Sequence, residues 1–204
     1  MLIQNGMTVL FQGDSITDCG RMEDVKGMGM GYPMRIASEF TARYPQLKIN
    51  FLNRGISGNR VKDLELRWDA DCIALKPDVL SILIGINDVW RRYDANDATT
   101  VEAYKSCYYN ILERASAINT KLIICEPFVL PYPNDRIAWR EDLDTKIQAT
   151  RELARDFGAI YIPLAGLFAA AATQQPSRVW SADGVHPTQS GHALIANAWL
   201  NSVL

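Results

Sequence analysis

A three-layer α/β/α sandwich, built on a mainly parallel sheet of five strands, is what the sequence predicts. Short apolar runs rich in β-branched residues recur five times, and stretches of helical period separate them. No repeat, low-complexity tract or linker interrupts this alternation across the 204 residues. Continuous apolar runs suit strands covered on both faces. Regular strand–helix alternation places those strands parallel, with helices on each side. Such a length fits one domain with a substantial core, so residues 1–204 are expected to fold as a single unit.

Thr8–Gln12 (TVLFQ) is the first strand. Ile36 and Phe40 open a helical period that ends near Pro45. Lys48–Leu52 (KINFL) is the second strand. Leu64, Trp68, Cys72 and Leu75 mark the next helix, stopped by Pro77. Val79–Ile84 (VLSILI) is the third strand, apolar enough to be buried on both faces. Tyr104, Tyr108, Ile111 and Ile118 mark a further helix, and Lys121–Glu126 (KLIICE) is the fourth strand. Leu143, Ile147, Ala154 and Phe157 define another helix, with Gly158 as its stop. Ala159–Ile162 (AIYI) is the fifth strand, and Ile195, Trp199 and Val203 give a last helix.

Composition narrows the function classes. The net charge of −2 comes with no basic patch, which argues against a nucleic-acid partner or an anionic membrane surface. No window of ~20 uninterrupted apolar residues is present to span a bilayer. The apolar run in Met1–Gln12 lacks the basic flank of a signal peptide. Cys19, Cys72, Cys107 and Cys125 are widely spaced and unpatterned. They read as reduced, structural thiols of a cytoplasmic protein.

Parallel α/β sheets bind ligands beyond the carboxyl ends of their strands. Polar clusters occupy those places here: Gly13-Asp14-Ser15-Ile16-Thr17 after the first strand, Asn53–Asn59 after the second, and Gly85-Ile86-Asn87-Asp88 after the third. Asp183-Gly184-Val185-His186-Pro187 lies near the C-terminus. Only two histidines are present, His186 and His192. A general base acting near neutral pH is most often histidine. His192 reads as a surface or packing residue of the last helix. His186 sits in a loop three residues after Asp183, a spacing that lets a turn fold the carboxylate onto one ring nitrogen.

A serine hydroxyl is a poor nucleophile without such a base. Ser15 lies at a strand-to-helix turn, where its hydroxyl would project from the sheet edge. Acyl transfer also needs donors aimed at an oxyanion. Gly58 offers an unobstructed backbone N–H and Asn87 a side-chain amide. Each residue alone has an ordinary reading: a helix cap for Ser15, a turn glycine for Gly58, a loop or cap residue for Asn87, a plain turn for Asp183–Pro187. Their joint occurrence in order favours the catalytic one. Trp90, Trp180 and Asp14 are candidate substrate-binding residues beside these clusters. Trp90 could stack on a sugar ring or simply pack, and Trp180 divides the same way. Arg91 and Arg92 read as a solvated pair. Phe128–Arg140, rich in proline and aromatics, is expected to line or cover the site.

The four blocks, with Ser15 in GDSIT, Gly58 in GISGN, Asn87 in GIND and His186 in DGVHP, resemble those of the SGNH (GDSL-type) hydrolases over almost the whole chain. The resemblance implies a flavodoxin-like fold and ester hydrolysis by a Ser15–His186–Asp183 triad. It further implies an oxyanion hole made of the Ser15 and Gly58 N–H groups and the Asn87 amide. Asp18-Cys19-Gly20-Arg21 and Gly85–Asp94 look like the corresponding segments of bacterial acetyl xylan esterases of that family. Those enzymes are intracellular and oligomeric and deacetylate xylo-oligosaccharides, so a homo-oligomer acting on an acetylated oligosaccharide is implied. The remaining readings are an esterase for longer acyl chains, such as a lysophospholipase or thioesterase, and a carbohydrate-binding protein without turnover. No G-x-S-x-G elbow, H-E-x-x-H zinc motif, P-loop or G-x-G-x-x-G motif is present, and no metal or cofactor is expected.

Overall fold

A computed structural model describes residues 1–204. Five strands form its one sheet: β1 (Thr8–Gly13), β2 (Asn50–Asn53), β3 (Val79–Leu83), β4 (Lys121–Cys125) and β5 (Ile160–Ile162). Their order is β2-β1-β3-β4-β5, and every pairing is parallel, so the sheet is wholly rather than mainly parallel. The registers run, for example, Val9 to Phe51, Leu10 to Leu80, Ile82 to Ile124 and Cys125 to Ile162. The order reverses direction between β1 and β3, which opens a crevice at their carboxyl ends.

Nine helices connect and cover the strands: α1 (Ser15–Asp18), α2 (Tyr32–Arg43), α3 (Val61–Asp71), α4 (Ile86–Asp94), α5 (Val101–Ser116), α6 (Arg140–Asp156), α7 (Leu164–Gln174), α8 (Ser177–Trp180) and α9 (Gln189–Val203). Two 3₁₀ segments, Ile73–Leu75 and Asn134–Trp139, complete the set. Alternation along the strands divides the core into two halves. Val9, Phe11, Val79, Leu83, Ile123 and Cys125 face one half, with α2 and α9. Leu10, Leu80, Ile82, Leu122 and Ile124 face the other, with α3 and α5. This is the side-chain period of two expected of strands buried on both faces. On the central strand the single polar inward residue, Ser81, is satisfied: its hydroxyl accepts from Trp199 Nε1 at 3.0 Å.

Every expected strand is present, displaced by no more than two residues at its ends. Four helices have no counterpart among the expected ones: the single turn α1, and α4, α7 and α8. The helix through Leu64 stops at Asp71, and Leu75 belongs to the separate 3₁₀ turn. The helix through Tyr104 ends at Ser116, short of Ile118, and Asn119 then turns the chain at φ +60°.

Candidate active site

β1 delivers the chain to the crevice and α1 begins at once. Asp14 caps that helix, its Oδ1 accepting from Ile16 N–H at 3.0 Å. Ser15 is the first helical residue, where a backbone N–H has no intrahelical partner and points outward. At the other end of the sequence, residues 181–187 close a tight bracket. Ser181 and Pro187 form an antiparallel bridge, Ala182 N–H donates to the His186 carbonyl at 3.0 Å, and the Ser181 hydroxyl donates to the same carbonyl at 2.9 Å.

Inside the bracket Asp183 does two things. Its Oδ1 accepts from the Val185 and His186 N–H groups at 3.0 and 2.8 Å, shaping the turn. Its Oδ2 lies 2.7 Å from His186 Nδ1. With Nδ1 donating to the carboxylate, Nε2 is left as an acceptor, and it lies 3.0 Å from Ser15 Oγ. Three side chains, from residues 171 positions apart in sequence, thus stand in one hydrogen-bonded line.

The electrostatics follow from that line. Partial burial opposes ionisation of Asp183, but the hydrogen bonds from the His186 ring and from the two N–H groups outweigh it and hold the carboxyl well below its usual range. The hydrogen bond to Asp183 raises the pKa of His186 above its ordinary value, with burial acting against it; Asp14 adds to the rise and Arg136 subtracts. His192 is different. Burial pushes it down to about 4, and its Nδ1 accepts from Tyr32 N–H at 3.1 Å, so it is a neutral packing residue of α9.

Gly184 makes the bracket turn possible. Its φ is +87°, and an added Cβ would run into the carbonyls of Tyr132 and Leu130. Gly184→Ala is therefore expected to destabilise the fold by ~1–3 kcal/mol and to lower activity with it. Gly166→Ala, in α7 with open space around the glycine, serves as the control and should be neutral or slightly stabilising. Denaturant unfolding of both variants checks this.

The loop after β2 lies against α1. Gly55 must be glycine there, because a Cβ would strike the backbone of Thr17 and Asp18. Ile56 N–H donates to the Gly13 carbonyl at 3.1 Å, and the Ser57 hydroxyl and N–H both donate to Asp18 Oδ2, at 2.7 and 3.1 Å. Gly58 follows, exposed, at φ +84°. Asn87 is buried in the first turn of α4 and donates one amide N–H to the Asn59 carbonyl at 3.0 Å. An amide has two such hydrogens, so one remains for a ligand.

The candidate binding residues fare unequally. Trp90 lies beside His186, the two ring centroids 5.8 Å apart. Trp180 is half-buried and packs on the larger core cluster. Asp14 is corrected outright: it is 1% exposed, with one oxygen committed to the α1 cap and the other sealed inside. Burial pushes its pKa up to about 7. Phe128–Arg140 packs against the bracket. Leu130 N–H donates to the Gly184 carbonyl at 2.8 Å. Arg136 Nε donates to the Asp183 carbonyl at 3.3 Å, while its guanidinium lies 4.0 Å from the Trp139 ring centre and 5.0 Å from that of Trp90. Nothing in the sequence marked Arg136, because two of its partners, Asp183 and Trp90, come from other segments.

A hydroxyl, an imidazole and a carboxylate in line at the carboxyl edge of a parallel sheet form a geometry suited to acyl transfer. Comparison with known proteins agrees with that class. The model of the GDSL-like lipase/acylhydrolase family matches residues 11–194. An acetylxylan esterase of Geobacillus stearothermophilus is 35% identical, over all of this chain and 96% of its own length. The solved structure of the acetylxylan esterase Axe2 from the same organism superposes with a TM-score of 0.92 at 32% identity, covering 100% of this chain and 96% of that one. A GDSL-like protein of Parabacteroides merdae superposes with a TM-score of 0.93 at 37% identity, covering 98% and 97%. The chain belongs to the GDSL-like lipase/acylhydrolase family and is a hydrolase of that family.

Proposed function

We propose that this protein is a serine esterase that removes small acyl groups, acetyl above all, from xylo-oligosaccharides or related carbohydrates. Ser15 is the nucleophile, His186 the base, and Asp183 the group that orients and charges-balances His186. The carrying observation is the unbroken line from Ser15 Oγ through His186 to Asp183 Oδ2, at 3.0 and 2.7 Å. His186 Nε2 takes the Ser15 proton as Oγ attacks the ester carbonyl, and the imidazolium then protonates the departing sugar oxygen. The Ser15 and Gly58 N–H groups and the free Asn87 N–H receive the oxyanion. Water, activated by the same imidazole, releases acetate. Solved Axe2 variants, altered at a serine, an aspartate and a histidine, are described as catalytic mutants of that acetylxylan esterase, which supports the same three residue types here.

The acyl preference has its own support. The relative at 35% identity and the superposed structure at 32% are both acetylxylan esterases, enzymes named for release of the two-carbon acetyl group. Trp90, beside His186, is the surface on which a sugar ring would rest. Hydrolysis of p-nitrophenyl acetate is expected to exceed that of the octanoate by at least about tenfold in kcat/KM. Acetylated xylo-oligosaccharides should release acetate. A preference for octanoate would overturn the small-acyl reading while leaving the triad intact. The four free thiols, with no disulfide between them, suit a reducing compartment, and cytoplasmic residence is part of the proposal. No helix is long and apolar enough to cross a membrane. Assembly as a homo-oligomer rests on the family resemblance, and light scattering tests it.

A further inference from the structure

We propose that Arg67 is a positioning residue for the oxyanion donors: its guanidinium fixes the loop that carries Gly58 and, through Asn59, the amide of Asn87. Arg67 lies on α3, well away from the triad in sequence, and its side chain is largely enclosed. Its Nη1 donates to the Arg54 carbonyl at 2.8 Å, at the start of the loop. Its Nε donates to Asn59 Oδ1 at 2.8 Å, at the loop's end. Its Nη2 reaches the Gly13 carbonyl at 3.3 Å, at the end of β1 and two residues before Ser15. Asp71, one turn further along α3, accepts from Nη1 at 2.9 Å and holds the guanidinium in place.

One planar group therefore ties two backbone carbonyls, those of Gly13 on the approach to Ser15 and Arg54 at the start of the loop, to the side chain of Asn59 at the loop's end. The second donor is drawn in through Asn59. That residue's side chain accepts from Arg67 while its backbone carbonyl accepts from Asn87 Nδ2 at 3.0 Å. Fixing one amide hydrogen of Asn87 on Asn59 also fixes the direction of the other. A lysine cannot reproduce this, since a single ammonium lacks the planar fork needed to meet separated acceptors at once. Donors contribute to catalysis only when held where the oxyanion forms, so a small displacement reduces turnover without changing ground-state binding.

The inference rests on the oxyanion reading given under Proposed function, and the experiment separates the two. Steady-state kinetics on p-nitrophenyl acetate would compare Asn87→Ala, Arg67→Met, Arg67→Lys, Asn59→Ala and the Arg67→Met/Asn87→Ala double variant, each checked by thermal unfolding. Asn87→Ala is expected to lose ~10²–10³-fold in kcat. Arg67→Met and Arg67→Lys should lose ~10–100-fold in kcat, with KM within about twofold and the acid-side pKa of the pH profile unmoved. The double variant should fall well short of the product of the single losses, as for residues acting as a unit. Asn59→Ala severs the link with little change to the core, and should show part of the kcat loss even if Arg67→Met folds poorly. Wild-type kcat in the folded Arg67 and Asn59 variants, a loss confined to KM, or full additivity with Asn87→Ala would overturn the role of Arg67 and leave the oxyanion reading standing. Wild-type kcat in Asn87→Ala would overturn that reading and, with it, the role of Arg67.

Discussion

Ser15→Ala is expected to reduce hydrolysis of p-nitrophenyl acetate to background, a loss of at least ~10⁴-fold in kcat, while the unfolding midpoint stays where it is. The two halves of that expectation have separate causes. Ser15 Oγ makes one side-chain hydrogen bond, to His186 Nε2, and holds nothing else together. The α1 cap is supplied by Asp14, which the substitution does not touch. Alanine is a good residue for a first helical turn. Nothing beside Ser15 offers a replacement nucleophile to His186, so the loss should be near complete. Substantial activity in the folded variant would move the nucleophile elsewhere and sink the proposed mechanism.

Asp183→Asn should cost ~10³–10⁴-fold in kcat and also shift the pH profile. Asparagine can still accept from the Val185 and His186 N–H groups, so the bracket survives. Its amide hydrogens, however, would face His186 Nδ1 and favour the tautomer with the proton on Nε2. That nitrogen then cannot accept from Ser15. The sign of the pH effect follows from the charges around His186. Only the neutral imidazole is a base, so wild-type kcat/KM rises with pH through a pKa that Asp183 holds above the ordinary histidine value. Asp14, with its own pKa near 7, becomes more negative over the same interval and makes His186 harder to deprotonate, which broadens the rise. Arg136 acts in the opposite sense. Removing the Asp183 charge leaves Arg136 less opposed, so the acid limb of the variant should move to lower pH as its height falls. Profiles from pH 5 to 9 in one buffer system check this. An unmoved limb would mean that Asp183 does not set the protonation of His186.

The strands were legible because burial on both faces removes polar residues from them, leaving runs such as VLSIL that stand out against their surroundings. The missed helices are harder to find. In α4 (INDVWRRYD) Ile86, Val89, Trp90 and Tyr93 do recur at helical spacing, but the helix is only 9 residues long and Gly85 before it gives no side-chain cap. In α7 the run LAGLFAAAATQ is so rich in alanine that only Leu164 and Phe168 mark its buried face. The pairing of Asp183 with His186 was legible because the two share a turn and the chain has only two histidines. Asp14 was misread because the sequence shows a polar residue beside a nucleophile but not that its carboxyl is sealed beneath a helix. Arg67 and Arg136 act through backbone carbonyls of distant segments, and an acceptor of that kind leaves no trace in residue type.

The side chains of His186 and Asp183 are 43% and 36% exposed, which bears on the fate of the acyl-enzyme. On the mechanism proposed above, an acetyl group carried by Ser15 stands beside an imidazole that bulk water can reach throughout its lifetime. Nothing sequesters the intermediate for a chosen acceptor, so an added alcohol competes with solvent on concentration alone. On that mechanism the open imidazole favours hydrolysis of the ester over transfer of the acyl group to another alcohol.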